Sequence, residues 1–109
     1  MIRVLALHNT PVELSSYDDY YVNVHMPLVR RIPGVRNIRY GRVIRAADGG
    51  PAPYFLISDV YFDDEVALQA ALDSPEMADA FADVPNFATG GATIMICEAK
   101  DVSPLSDSH

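Results

Sequence analysis

Two histidines and a tyrosine stand where they could move a proton. His25 falls in the run Tyr17-Asp-Asp-Tyr-Tyr-Val-Asn-Val-His25-Met-Pro27-Leu-Val-Arg-Arg-Ile-Pro33-Gly34. An unperturbed imidazole titrates at about pH 6.5, so His25 can serve as acid or base at neutral pH without help. The structural alternative is a core histidine bonded to a backbone carbonyl, such as one freed by Pro27. Tyr21 lies one helical turn earlier and could donate to a substrate oxygen or to that imidazole; it could equally serve packing, its hydroxyl finding water at a cleft edge. His8 ends the first apolar run and enters the same cleft if its side of the strand faces the helices; otherwise it is a surface residue at a strand end. Asp59 sits among apolar neighbours, and an inward carboxylate there must be paired or protonated. An ion pair with an arginine of the second strand is its structural alternative.

Other chemistries find less support. His8, His25 and His109 have no metal-ligand spacing, and haem attachment lacks its cysteines. Cys97 is the single cysteine, so no intrachain disulfide or thiolate cluster can form. Its run, Thr93-Ile-Met-Ile-Cys97, predicts a small buried hydrophobe.

These residues must be positioned by a short chain. Residues 2–8 are aliphatic enough for a strand buried on both faces. Ser15 and Ser16, three residues ahead of Asp18 and Asp19, predict a capping-box-like helix start. The helix then places Tyr17, Tyr21, Val24, His25 and Leu28 on one face. Pro27 predicts a kink or loosened turn beside His25 and restricts Met26 toward extended backbone, and Pro33-Gly34 ends the element. Strands are predicted over 35–45 and 53–62, joined by the turn-forming stretch 46–53. Phe55, Ile57, Asp59 and Tyr61 then share one face of the third strand, and Tyr54, Leu56, Ser58, Val60 and Phe62 the other.

Asp63-Asp64-Glu65 opens a second helix. Ser74-Pro75-Glu76 restarts helix with a cap and a proline at its first position. Met77, Ala78, Phe81 and Ala82 form its expected buried stripe, and Pro85-Asn86-Phe87 its end. Gly90-Gly91 leads to a fourth strand, 92–99. The order is βαββαβ, an α+β ferredoxin-like arrangement with a four-stranded antiparallel sheet. One sheet face stays apolar and uncovered, which predicts a homodimer through that face. Residues 1–102 form the expected domain, and 103–109 lack periodicity and are expected to be a flexible tail.

The 109 residues suit one domain, and half of them are hydrophobic. No run is long enough to span a bilayer, and the start lacks a secretory pattern, so a cytoplasmic protein is expected. A net charge of −7 argues against nucleic acid and anionic membrane as partners. Six of the eight basic residues nevertheless lie at Arg30, Arg31, Arg36, Arg39, Arg42 and Arg45, with no acid between them. They read either as charge blunting an edge strand or as a basic lip for an anionic ligand or partner surface.

The run Asp19-Tyr20-Tyr21-x-x-x-His25-Met26-Pro27-Leu28-Val29 resembles the signature of the EthD family, within the dimeric α+β-barrel superfamily. Phe62-Asp63-Asp64, Ala71-Leu72-x-Ser74-Pro75-Glu76 and Asp83-Val84-Pro85-Asn86-Phe87 resemble the family's later segments, so the likeness runs from Met1 to about Val102. It implies a dimeric α+β barrel, with a small-molecule cleft between helices and sheet in each subunit. It also implies a place for Asn86, at the cleft mouth or as a helix-end cap. Sequences like this one are labelled reductases. This chain has no Gly-x-Gly-x-x-Gly, phosphate loop or redox cysteine pair to support that, and no cofactor is expected.

The expectation is a proton-transfer enzyme of isomerase, cyclase or lyase type, acting on a small, largely apolar, oxygenated molecule. His25 and Tyr21 would be catalytic; His8, Asp59 and Asn86 would touch substrate. The rivals are a non-catalytic protein that binds a hydrophobic metabolite and a purely structural dimer module.

Overall fold

The computed structural model describes residues 1–102; the expected flexible tail, 103–109, lies outside the described residues. Strand β1 (Ile2–His8) lies between two partner strands, but only one of its faces is buried, where the sequence suggests both. It pairs antiparallel with β3 (Leu56–Phe62) on one side and β4 (Ala92–Glu98) on the other. With β2 (Asn37–Arg42) the sheet order is β2-β3-β1-β4, so β2 and β4 are edges.

β2 and β3 are shorter than the sequence suggests. Pro51 and Pro53 withhold amides from the ladder, and the Phe55 amide bonds the His8 carbonyl at 2.7 Å. The arginine-rich edge is held by ion pairs, Arg36 with Asp63 at 2.9 Å and Arg42 with Asp18 at 3.4 Å. The Arg42 guanidinium also lies 3.7 Å from the centre of the Phe55 ring.

Period-two alternation divides the sheet. Ile2, Val4, His8, Leu56, Ser58 and Phe62 are buried on the helix-covered face. Arg3, Leu5, Leu7, Ile57, Asp59 and Tyr61 turn to the other face and remain half-exposed. Cys97 pairs across from Arg3 on that open face and is half-buried, where the sequence suggested full burial. Its place on the open face of an edge strand explains the difference.

The helix ahead of Pro27 is built in three parts: α1 (Tyr17–Tyr20), a π turn (Tyr21–His25) and α2 (Met26–Arg30). The loosened turn thus comes before the proline. Met26 is helical, at φ −59 and ψ −39, and not extended. Its amide already reaches back to the Tyr21 carbonyl, and Pro27 sits in the first turn of α2, where a missing amide is harmless. Widening the turn keeps residues four apart on one side. Tyr17, Tyr21, His25 and Val29 are all buried, whereas Val24, expected among them, is exposed. Ser16 caps α1 by position but makes no capping bond, and Ser15 Oγ bonds Glu13 instead at 2.7 Å.

Helix α3 (Glu65–Leu72) starts on Asp64, which accepts from the Ala67 amide. Helix α4 (Pro75–Phe87) starts on Ser74, which accepts from the Met77 amide at 3.1 Å. It continues through Pro85, because that proline is exposed and water can reach the carbonyl it leaves unbonded. The buried stripe of α4 is therefore Met77, Ala80, Asp83 and Phe87; Ala78, Phe81 and Ala82 are exposed. Among the described residues, no helix is long and apolar enough to cross a membrane.

Candidate functional site

A cavity lies between the helices and the covered sheet face and opens to solvent at its mouth. Val4 and Ala6 of β1 floor it, Val29 and Met77 wall it, and half-exposed Phe81 stands at its rim. Its polar wall groups are His8, Tyr21, His25 and Ser58.

Each arrives from a different constraint. His8 is the last residue of β1 and turns inward by alternation; it is only 2% exposed. Tyr21 and His25 bracket the π turn, so both point down from the same side of the helix. Ser58 faces them from β3. Phe87 of α4 gathers the rings, 4.5 Å from His25, 5.4 Å from Tyr21 and 5.7 Å from His8, centre to centre.

The imidazole of His25 is oriented from behind. Its Nδ1 donates to Asp83 Oδ2 at 2.9 Å, with both side chains buried. Asp83 also accepts from the Tyr20 hydroxyl at 2.5 Å and from Asn86 Nδ2 at 3.1 Å, both at Oδ1. Burial pushes the Asp83 carboxyl up, but these donors outweigh it and hold the group below the ordinary carboxylate range. With a carboxylate fixed at Nδ1, the proton stays on that nitrogen, and Nε2 presents its lone pair.

Burial lowers the affinity of His25 for a proton more than the Asp83 hydrogen bond and charge restore it. His8 falls to about 4, through burial first and then the nearby His25. Both rings are accordingly neutral at pH 7. Burial likewise raises Tyr21 to about 12, so its hydroxyl keeps its proton. That hydroxyl nears Ser58 but forms no hydrogen bond of good geometry, and among the described residues His8 Nδ1 also has no partner.

The structure brings His8, Tyr21 and His25 together at one cavity. Asp59 does not join them. The expectation that it touches a ligand there is corrected by its register: it lies on the opposite sheet face, 3.5 Å from Arg3 of β1, not paired to an arginine of β2. Asn86 faces a shallow hollow with Tyr17 and Tyr20 and reaches the cavity only through Asp83. Asp83 itself was missed as a site residue. The signal was present, an acid three residues after Ala80 and four before Phe87 on an otherwise apolar helix side.

Residues 9–91 match the model of the EthD domain. An uncharacterised 11.0 kDa protein from the thcB-thcC intergenic region of Rhodococcus erythropolis is 35% identical over 104 residues, covering 95% of this chain and all of the relative. A solved EthD family protein from Bacillus halodurans is 32% identical, with a TM-score of 0.82 over 92% of this chain and 99% of its own. A hydroxynitrile lyase from Passiflora edulis shares the fold at a TM-score of 0.73, over 94% of this chain and 96% of its own, with 10% identity.

Proposed function

The chain belongs to the EthD family, and from that premise and the cavity geometry we propose that it is a proton-transfer enzyme acting on a small oxygenated, largely apolar molecule. The observation that carries this reading is the buried Asp83–His25 pair opening onto an apolar cavity. His25 Nε2 takes a proton from a C–H or O–H group of the ligand. A bond to nitrogen forms, the ligand's bond to hydrogen breaks, and the electron pair moves toward the ligand oxygen. Tyr21 and His8 are the groups available to polarise that oxygen. Returning the proton to another atom isomerises the ligand or closes a ring; expelling a leaving group completes a lyase step. Asp83 stabilises the imidazolium between the two transfers. That a hydroxynitrile lyase is built on this fold supports the scaffold's capacity for such work.

Screening lactones, phenolics and polyketide-like ketones by thermal shift, followed by product analysis, supplies the assay. In His25→Asn, turnover is expected to fall by roughly 10²- to 10⁴-fold with ligand affinity kept. Full turnover in that variant would sink the reading. The apolar walls also suit a second reading, a non-catalytic carrier of a hydrophobic metabolite. It is the one left standing if ligands bind His25→Asn and the parent alike and neither converts them.

We further propose that the open sheet face, with Leu5, Leu7, Ile57 and Met95, pairs with a second copy of the chain. Sedimentation at micromolar concentration is expected to report a dimer, and a monomer there removes the proposal.

A further inference from the structure

The geometry points to the ligand class of this cavity: neutral molecules bearing a hydroxyl or carbonyl oxygen, recognised through His8, with their carboxylate counterparts excluded. The inference rests on the cavity's binding role proposed above and adds what that role selects.

Among the described residues, no lysine or arginine lines the cavity. Its polar groups, His8, Tyr21, His25 and Ser58, are all uncharged at neutral pH, and the charge bonded to this set is the negative Asp83 behind His25. A carboxylate entering here loses its hydration, meets no cation and is repelled by Asp83, so burial works against it. A neutral oxygen meets the opposite situation. His8 is 2% exposed and Tyr21 1%, yet His8 Nδ1 and the Tyr21 hydroxyl bond to no described residue. Buried polar groups left without partners favour an occupant that supplies them. Both residues line the cavity, and their rings meet edge-on with centres 6.1 Å apart. The rest of the wall is aliphatic or aromatic and suits the ligand's apolar body.

His8 is the residue that distinguishes this from a plain greasy pocket. A site built to hydrogen-bond an oxygen disfavours the analogue lacking it, because its own groups are then left unpaired. Three probes of one shape test this on the full chain at neutral pH by calorimetry and ligand-observed NMR: toluene, benzyl alcohol and benzoate. Benzyl alcohol is expected to bind at least about tenfold more tightly than toluene, and benzoate at least about 100-fold more weakly than benzyl alcohol.

In His8→Leu the alcohol's advantage over toluene disappears while toluene affinity stays within about threefold, which also reports an intact cavity. Tyr21→Phe, which removes only an oxygen, lowers the advantage severalfold and serves if His8→Leu fails to fold. Benzoate binding as well as benzyl alcohol overturns the proposed class and leaves the cavity's binding role standing. An alcohol preference that survives in His8→Leu removes His8 from the recognition. If none of the three probes enters the cavity, the binding role itself falls, and the inference with it.

Discussion

Asp83→Ala is expected to lower the stability of the domain by about 3–4 kcal/mol and to end turnover, although Asp83 touches no ligand in the proposed mechanism. The carboxylate holds three donors at once, from Tyr20, His25 and Asn86. Truncation leaves the buried His25 Nδ1 without an acceptor and opens space beside Phe87, whose ring packs on that imidazole. Hydrogen bonds to charged groups contribute about 1.5–3 kcal/mol each, and they do not simply add within one network. A urea midpoint lower by about 1 M or more is the expected reading. Asp83→Asn separates stability from chemistry. Its amide oxygen can still accept from Tyr20, while its NH₂ group, turned to His25, forces the imidazole proton onto Nε2. The base becomes a donor, and turnover is expected to drop by about 10²-fold or more in a protein that still folds. Parent-like turnover in Asp83→Asn, or a parent-like midpoint in Asp83→Ala, defeats the assignment.

The second large effect is expected where the loop before β4 packs on the loop after β1. A Cβ placed on Gly90 would lie 2.1 Å from the Thr10 carbonyl oxygen and 2.9 Å from its carbon, both backbone atoms. Neither can swing aside as a side chain would. Around this contact the chain is tied tightly: the Asn9 amide bonds the Gly91 carbonyl at 3.0 Å, Asn9 Nδ2 the Gly90 carbonyl at 3.1 Å, and the Val12 amide Thr89 Oγ1 at 2.8 Å. Gly90→Ala is therefore expected to cost about 3 kcal/mol, at the upper end of overpacking changes. Because Asn9 follows His8 directly, the displaced loop also misplaces that ring. Thermal unfolding checks the first effect, where an unchanged melting temperature refutes it, and the benzyl alcohol preference checks the second.

Much of the frame was legible because it rests on local chemistry. β1 was readable to the residue, since its aliphatic run is bounded by turn formers, and Ser74-Pro75 announced the start of α4. The inward position of His25 followed from helical spacing, though the π turn dropped Val24 from that face. Asp59 illustrates what alternation cannot decide. Both sides of β3 are apolar, so period two separated its faces correctly without saying which one the helices cover. Asp83 was obscured differently. Its role depends on Tyr20 and His25, brought to it by tertiary packing, and its spacing from Ala80 and Phe87 is a signal only once the buried side of α4 is known. The expected stripe through Ala78 and Phe81 also ran along the wrong side of α4, which hid the one acid on the buried side.

The interior place of β1 bears on how the molecule comes to exist during synthesis. Its seven residues are made early, but their ladder partners, residues 56–62 and 92–98, emerge much later. At about 5–20 residues per second, the strand waits several seconds for its second neighbour. During that interval an apolar segment with at least one edge unsatisfied is open to chaperones and to other nascent chains. Pairings this distant also slow the search for the native arrangement relative to a helical bundle of the same size. Since His8 is the last residue of that strand and Ile94 of β4 completes the cavity wall, the site is assembled only when β4 docks.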